Sequence, residues 1–394
     1  MIRDWWEQGA TRIVVILIFA CCMLVLAYVI VTLLPFGRIT FSLESEQVVA
    51  TSTSLNTQPV FVATHISTPS AVKAIYMTAC TASEKTLRDK VLAVIHGTEI
   101  NSIIIDYKDY SGTISYASTT LQTAHVGKGC RIYDLPEFIT ELHAKKIYAI
   151  SRVTTFQDPA YAQAHIDVAI RSKMNPNTTW KDVHGLAYID PGATKYWNYV
   201  VDMAKESYAI GFDEVNFDYV RFPSDGKLAD MLYAHTASTT KADTLKDFFQ
   251  YLHFQLASTS IVTSADLFGL TTSAEGDMGI GQILENTLPY FDYVAPMVYP
   301  SHFAAGFQNF AKPAEHPYEV VNYSMIRAVE RAIAASTTPS KLRPWIQAFD
   351  LGAVYTPTMV RDQMRATYDS GLTSWMIWNA SSSYKKEYLL PASK

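Results

Sequence analysis

Several short β-rich runs in this chain end in an aspartate or lead straight into one, and a carboxylate so placed can do acid–base or nucleophilic chemistry. Ser102–Asp106, Glu214–Tyr219 and Ile261–Asp266 carry Asp106, Asp218 and Asp266 at or near their ends, and Asp350 follows Pro344–Phe349. Strand alternation within Glu214–Tyr219 puts Asn216 and Asp218 on one face, and Val215, Phe217 and Tyr219 on the other. The same reading turns Asp106 and Asp266 inward. An inward carboxylate is costly unless it is hydrogen-bonded, paired or near water. Two carboxylates on adjacent strands suit glycoside hydrolysis, one as nucleophile or base and the other protonating the leaving oxygen. Retaining enzymes hold them ~5–5.5 Å apart and inverting ones ~6.5–9.5 Å. Neighbouring strands lie ~4.8 Å apart, so Asp218 and Asp266 could meet either demand. These two are the catalytic candidates, with Asp106 and Asp350 in support. Arg152 and Arg221 are expected to hold carboxylates ionised rather than contact substrate. The competing reading is that the acids pair with Arg152, Arg221 or Lys108 and merely close the end of the sheet. Tyr219, Tyr299, His302, Gln347, Trp378 and Asn379 sit at or just beyond strand ends and are candidate substrate-binding residues.

Something must bring these strand ends together. From Val72 onward, short β-rich runs alternate with longer helical stretches, which argues for a parallel sheet with helical crossovers. The runs are Val72–Thr78, Ser102–Asp106, Ile147–Val153, Glu214–Tyr219, Ile261–Asp266, Tyr293–Tyr299, Pro344–Phe349 and Ser374–Trp378. Eight such units close a (β/α)8 TIM barrel, whose active residues lie at the C-terminal strand ends. Leu186–Ile189, ending in Asp190-Pro191-Gly192, is an extra segment in the long third connection. Asp134, Pro136 and Glu137 form a helix-start signature with Asp134 as the capping side chain. Asp243–Leu256 and Tyr318–Ala335 read as amphipathic helices.

The chain has 394 residues, 49% hydrophobic and 18% charged, a globular composition with a large core. A net charge of −5 without a Lys/Arg stripe excludes a nucleic-acid partner. Ile13–Phe36 carries no charge and is long enough to cross a hydrocarbon core of ~30 Å as a helix. No small-residue cleavage site follows it, so residues 1–38 read as an uncleaved membrane anchor. Ser, Thr and Pro dominate residues 39–70, which read as a flexible linker. The barrel then occupies residues 71–394. Cys80 and Cys130 lie outside the anchor, in loops at one end of neighbouring strands; pairing and two free thiols both remain open. There is no His-Glu-x-x-His, Cys-x-x-Cys, phosphate loop or Gly-x-Ser-x-Gly elbow. No cofactor and no obligatory metal are expected.

Gly211-Phe212-Asp213-Glu214-Val215-Asn216-Phe217-Asp218-Tyr219-Val220-Arg221-Phe222-Pro223-Ser224-Asp225 resembles the signature of the bacterial "putative glycosyl hydrolase domain" family. Ser264–Gly269, Pro296–His302, Arg343–Gln347 and Trp375–Asn379 are similar to its other blocks, in order, so the resemblance covers roughly Val72 to Tyr384. It implies a TIM barrel distantly similar to the α-amylase-like glycosidases. Those place a nucleophilic Asp after strand 4, an acid after strand 5 and a supporting Asp after strand 7. Asp218, Asp266 and Asp350 fall near these places. The departure is Asp266, where the usual strand-5 acid is Glu.

Two functions follow as expectations. The first is a glycoside hydrolase acting on an envelope or extracellular polysaccharide, held at the cell membrane by a single pass with the barrel outside the cytoplasm. The second is a non-catalytic, surface-tethered glycan-binding barrel. A hydrolase or lyase of another polymer lacks a nucleophile–His arrangement to support it.

Overall fold

The computed structural model describes residues 61–118, 121 and 130–392, together with Met23. The chain divides into residues 1–60 and 61–394, and the description below concerns the second unit. The expected anchor helix and most of the expected linker lie outside the described residues. Among the described residues no helix is long and apolar enough to cross a membrane.

The eight expected strands all form. They are β1 (Lys73–Met77), β2 (Ser102–Lys108), β3 (Tyr148–Thr154), β4 (Glu214–Asp218), β5 (Val262–Phe268), β6 (Tyr293–Met297), β7 (Trp345–Gln347) and β8 (Trp375–Trp378). Each pairs in parallel with its neighbours in sequence, and β1 pairs with β8, closing the barrel. Crossovers run through α1 (Lys85–Ile95), α2 (Leu135–Ala144), α3 (Thr194–Ile210), α4 (Lys241–Leu256), α5 (Leu284–Thr287), α6 (Pro317–Ala334) and α7 (Pro357–Asp369). After β8 the described chain makes only a 3-10 turn at Lys386–Tyr388.

Alternation along the strands sorts the apolar residues into two cores. Ile75, Ile103, Ile105, Val215 and Phe217 face the helices. Ala74, Tyr76, Ile104, Ile150, Ala295 and Trp345 fill the barrel. This is a packed interior, as barrels of this size require. At the N-terminal end of the strands the filling turns ionic: Arg343 donates to Glu214 at 2.8 Å, and both side chains are buried. Such a pair weakly stabilises, but breaking it would strand a buried charge at a cost of about 3–5 kcal/mol.

Three local departures from expectation have clear causes. Asp134 does not cap α2 with its side chain; its carboxylate instead takes two hydrogen bonds from Arg88, at 3.2 and 2.7 Å. A bidentate guanidinium outcompetes a single backbone N–H. Residues 64–68, expected in the linker, are held on the barrel. The Ile66 amide donates to Asp213 at 2.8 Å, Thr68 bonds Tyr148 at 3.0 Å, and His65 stacks on Tyr208 at 3.8 Å. In β2 the register shifts between Asp106 and Lys108, and this bulge buries Lys108 against Asp158, 2.9 Å away.

The long connections after β3 and β4 fold onto each other through a two-residue antiparallel pair, Arg171–Ser172 with Met231–Leu232. Asp190, from the extra segment, fastens them: it accepts from Gly192 N, His235 N and Thr236. Gly192 must lack a side chain here, because a Cβ would stand 2.8 Å from the His235 carbonyl.

Cys80, beyond β1, and Cys130, in the connection after β2, are joined as a disulfide. The closed loop spans 50 residues of sequence. A cross-link of that span restricts the unfolded chain by about 4 kcal/mol. Peptide mapping of the unreduced protein is expected to recover Cys80 and Cys130 in one linked species. Their recovery as two separately alkylated peptides would contradict the pairing.

Candidate active site

The sequence places an acid, an amide and an acid on the inward face of β4, at three depths. Glu214 pairs at the bottom with Arg343. Asn216 sits in the middle and bonds across to β5. Asp218 reaches the mouth. Register pairs Asn216 with Ser264 and Phe217 with Ala265, so Asp218 and Asp266 come level on adjacent strands. Both line a cavity of about 630 Å³ at the C-terminal mouth of the barrel.

Arg152, inward on β3, organises the acids. It donates to Asp218 from Nε at 3.0 Å and from Nη2 at 2.5 Å, and to Asp106 from Nη1 at 2.7 Å. Asp106 also accepts from the Tyr76 hydroxyl at 2.5 Å. Trp378 stacks on Tyr76 at 4.0 Å, and its ring lies 5.1 Å from the Arg152 guanidinium. Burial works against the Arg152 charge, but Asp218 and Asp106 overcome it and hold the guanidinium protonated. Asp106 is pushed upward by burial, an effect that Arg152 opposes.

Asp266 has no such partner. Its Oδ1 accepts from Trp345 Nε1 at 2.7 Å and from Asn216 Nδ2 at 2.8 Å, both neutral donors. Burial pushes its carboxyl well above the usual carboxylate range, and the Asp218 charge pushes the same way. Among the described residues no donor reaches Oδ2, which leaves that oxygen free to carry a proton. The two level carboxylates thus differ in surroundings: Asp218 is ion-paired with a guanidinium, and Asp266 is buried among neutral donors that leave its carboxyl raised.

Tyr219 does not follow the strand period. Its φ of 52° places it in the left-handed region, where a bulky side chain is strained. The turn lets the Tyr219 amide donate to Asp218 Oδ1 at 2.6 Å and brings the ring to the cavity rather than to the helices. Tyr299 and His302 line the same cavity, and burial lowers the His302 pKa, leaving it neutral at pH 7.

Three expected site residues are placed elsewhere. Asp350 is exposed and closes a turn by accepting from Tyr355 N at 2.8 Å. Gln347 is fully buried; its Oε1 accepts from Ser301 N, and its Nε2 donates to Phe349 O. Asn379 donates to Ala348 O and caps the turn at Ser381. None of the three lines the cavity. Arg221 does line it but has no carboxylate within ion-pair distance among the described residues, so it does not hold an acid ionised as expected.

The model of the family described as "Putative glycosyl hydrolase domain" matches residues 74–384, which is every strand and crossover just described. The chain belongs to this family. No curated protein matches it. Among solved structures it is similar to the PgaB (BpsB) glycoside hydrolase domain from Bordetella bronchiseptica, at 12% identity and a TM-score of 0.57, over 79% of this chain and 95% of that one. It also matches a hypothetical protein from Ruminiclostridium thermocellum ATCC 27405 at 27% identity and a TM-score of 0.43, over 49% and 96% of the two chains. At 12% identity the likeness to the first shows the barrel fold.

The glycosyl hydrolase domain also uses residues that sequence reasoning missed. Trp345 looks like core filling, yet its indole N–H fixes Asp266. Tyr76 anchors Asp106, and its Tyr-x-Thr context gives no local signal. Phe303 and Phe307, packed 4.4 Å apart, form one wall from an irregular loop.

Asp266→Asn should stabilise the fold at pH 7. An Asn carbonyl still accepts from Trp345 and Asn216, while the buried acid is gone. Because the folded pKa of Asp266 is raised, its contribution to stability is fully present below the ordinary carboxylate range and is lost as pH rises through the folded value. The variant should therefore be the more stable at pH 7, and the advantage should vanish as pH falls through the ordinary carboxylate range. Denaturant titration at both pH values measures it; equal stability of the two proteins at pH 7 would contradict the assignment.

Proposed function

We propose that the domain is a glycoside hydrolase acting on an envelope or extracellular polysaccharide, with Asp218 as nucleophile and Asp266 as general acid and then base. The observation that carries this reading is the opposed state of two level carboxylates on neighbouring strands. Asp218 is ion-paired with Arg152 and further held by the Tyr219 amide. Asp266 is buried, its carboxyl is pushed well above the usual range, and no donor reaches its Oδ2 among the described residues. In the first step Asp218 attacks the anomeric carbon as Asp266 gives its proton to the departing glycosidic oxygen. In the second, Asp266 takes a proton from water, which releases the sugar from Asp218. Arg152 fixes the nucleophile in place, and Asp106 fixes Arg152. Tyr299, His302 and Trp378 supply rings and edges for a sugar subsite, and Tyr219 shapes the opposite side.

One observation favours the runner-up, a glycan-binding barrel. Asp266 is only 1% exposed, and as an Asp it reaches less far than the Glu expected at that strand. Turnover separates the two readings, because binding alone needs no proton transfer. The parent should release reducing ends from its polysaccharide. Asp218→Asn should lower that rate about 10⁴-fold, and Asp266→Asn about 10²–10⁴-fold. The parent's rate should fall as pH rises through the raised pKa of Asp266, because the acid must carry its proton. Full rate in Asp218→Asn would sink the proposal. Retention of a glycan by parent and variant alike, without product from either, would establish the binding module.

The location belongs to the same proposal. Ile13–Phe36 is read as a single-pass anchor that holds the barrel outside the cytoplasm, where polysaccharide lies. The Cys80–Cys130 disulfide supports it, since such bonds persist in oxidising compartments. Protease added to intact cells should remove the barrel domain. Protection of the domain until the cells are lysed would count against this orientation.

A further inference from the structure

Arg221 is a cation without a counter-ion at the wall of the active-site cavity. It is 7% exposed. Its Nη1 donates to the Phe222 carbonyl at 3.2 Å and to Ser224 Oγ at 3.3 Å, both long contacts to neutral acceptors. Among the described residues no acceptor reaches Nε or Nη2. Asp225 lines the same cavity but makes no ion pair with Arg221; its Oδ1 accepts from the Val183 amide at 3.2 Å. Buried guanidinium groups are ordinarily paired, because an uncompensated charge away from water is expensive. Arg152, lining the same cavity, shows the usual solution, with two carboxylates.

The surroundings of Arg221 orient it without neutralising it. The rings of Tyr219 and Phe268 each lie 4.7 Å from the guanidinium carbon. Cation–π contact of this kind favours the charge and restrains the plane of the group. The strained φ of Tyr219 is what brings that ring over Arg221, and strain of this sort persists where surrounding structure requires it. The result is a charged fork with its in-plane edge free, beside Asp218 in sequence and in the cavity. Two parallel N–H donors of a guanidinium match a carboxylate.

We infer that Arg221 recognises a carboxylate carried by the polysaccharide on a sugar close to the cleaved bond, so that the substrate is an acidic glycan such as a uronic-acid polymer or one with an ether-linked carboxylate. This inference rests on the glycosidase reading for the word substrate, but not for the binding itself.

The test uses the full chain carrying Asp218→Asn, so that ligand is not consumed. Oligosaccharides of galacturonate, mannuronate, hyaluronan and cell-wall glycan are titrated by calorimetry, alongside carboxyl-reduced copies of the same oligosaccharides and a sulfated neutral glycan. At least one acidic member should bind at about 1 mM or below, and its reduced copy should lose about 10- to 100-fold in affinity. Arg221→Met, added to Asp218→Asn, should lose the same factor and no longer distinguish the two copies. Arg221→Lys should recover part of the loss, since it restores charge but not the fork. Melting curves control for folding: removal of an uncompensated buried charge should leave the melting temperature unchanged or raised. Three results would overturn the inference. They are equal affinity for acidic and reduced copies, stronger binding of the sulfated glycan, and no acidic member binding by about 1 mM. Release of neutral sugar by the parent, with no effect of Arg221→Met, would remove the acidic substrate and leave the hydrolase standing. Arg221-dependent binding of an acidic glycan that the parent never cleaves would do the reverse.

Discussion

Arg152 stands between Asp106 and Asp218 at the mouth of the barrel, and the charge of every neighbouring group follows from that placement. Asp106, Asp218 and Asp266 crowd a region nearly closed to water, where like charges repel strongly. One guanidinium can compensate two of them. Arg152 takes Asp106 and Asp218, and the third, Asp266, has its carboxyl pushed well above the usual range. The division is geometric before it is electrostatic. Arg152 lies on β3, between β2 with Asp106 and β4 with Asp218, whereas Asp266 is one strand further on. Asp266 is left to neutral donors, Trp345 and Asn216. Removing Arg152 would strand two buried charges, so the ion pair supports the barrel mouth as well as the chemistry.

The remaining architecture delivers these side chains to one height. Closure of eight parallel strands brings β2 to β5 side by side, and alternation turns every second residue inward. Beyond the strands, precision comes from turns. Tyr219 leaves β4 in a left-handed conformation, which supplies an amide to Asp218 and a ring to Arg221. At the end of β5, Gly269 passes so near the Met297 carbonyl that a side chain would collide, which keeps the cavity wall between β5 and β6 continuous. The Asp190 clamp fixes the two long connections that flank the opening.

How much of this could be read from sequence depends on whether a signal is periodic or spatial. The strands were legible because barrel strands alternate and their residues are strongly apolar on both faces. Asp106, Asp218 and Asp266 were legible as inward acids for the same reason, and Arg152 as their partner. Gln347, Asp350 and Asn379 looked equally well placed, yet each spends its polar atoms on backbone groups of loops that no local pattern specifies. Asp134 carried a capping signature that a residue 46 positions away overrode. Trp345 and Tyr76 read as core because an indole N–H or phenol hydroxyl shows its partner only in three dimensions. Arg221 was expected to hold an acid, and only the folded distances show that it holds none.

The central claim is that Asp266 is the protonated member of the pair, and titration of its carboxyl tests it most directly. Carbon NMR of protein labelled at the aspartate carboxyl, recorded from acid to neutral pH, reports each group. The account requires two raised aspartate carboxyls, Asp106 and, well above the usual range and raised the more strongly of the two, Asp266. The more strongly raised resonance should disappear in Asp266→Asn and move down in Asp218→Asn, where the neighbouring charge is gone. If every aspartate titrated in the ordinary range, or if the most strongly raised resonance survived Asp266→Asn, the assignment of acid and nucleophile would be wrong.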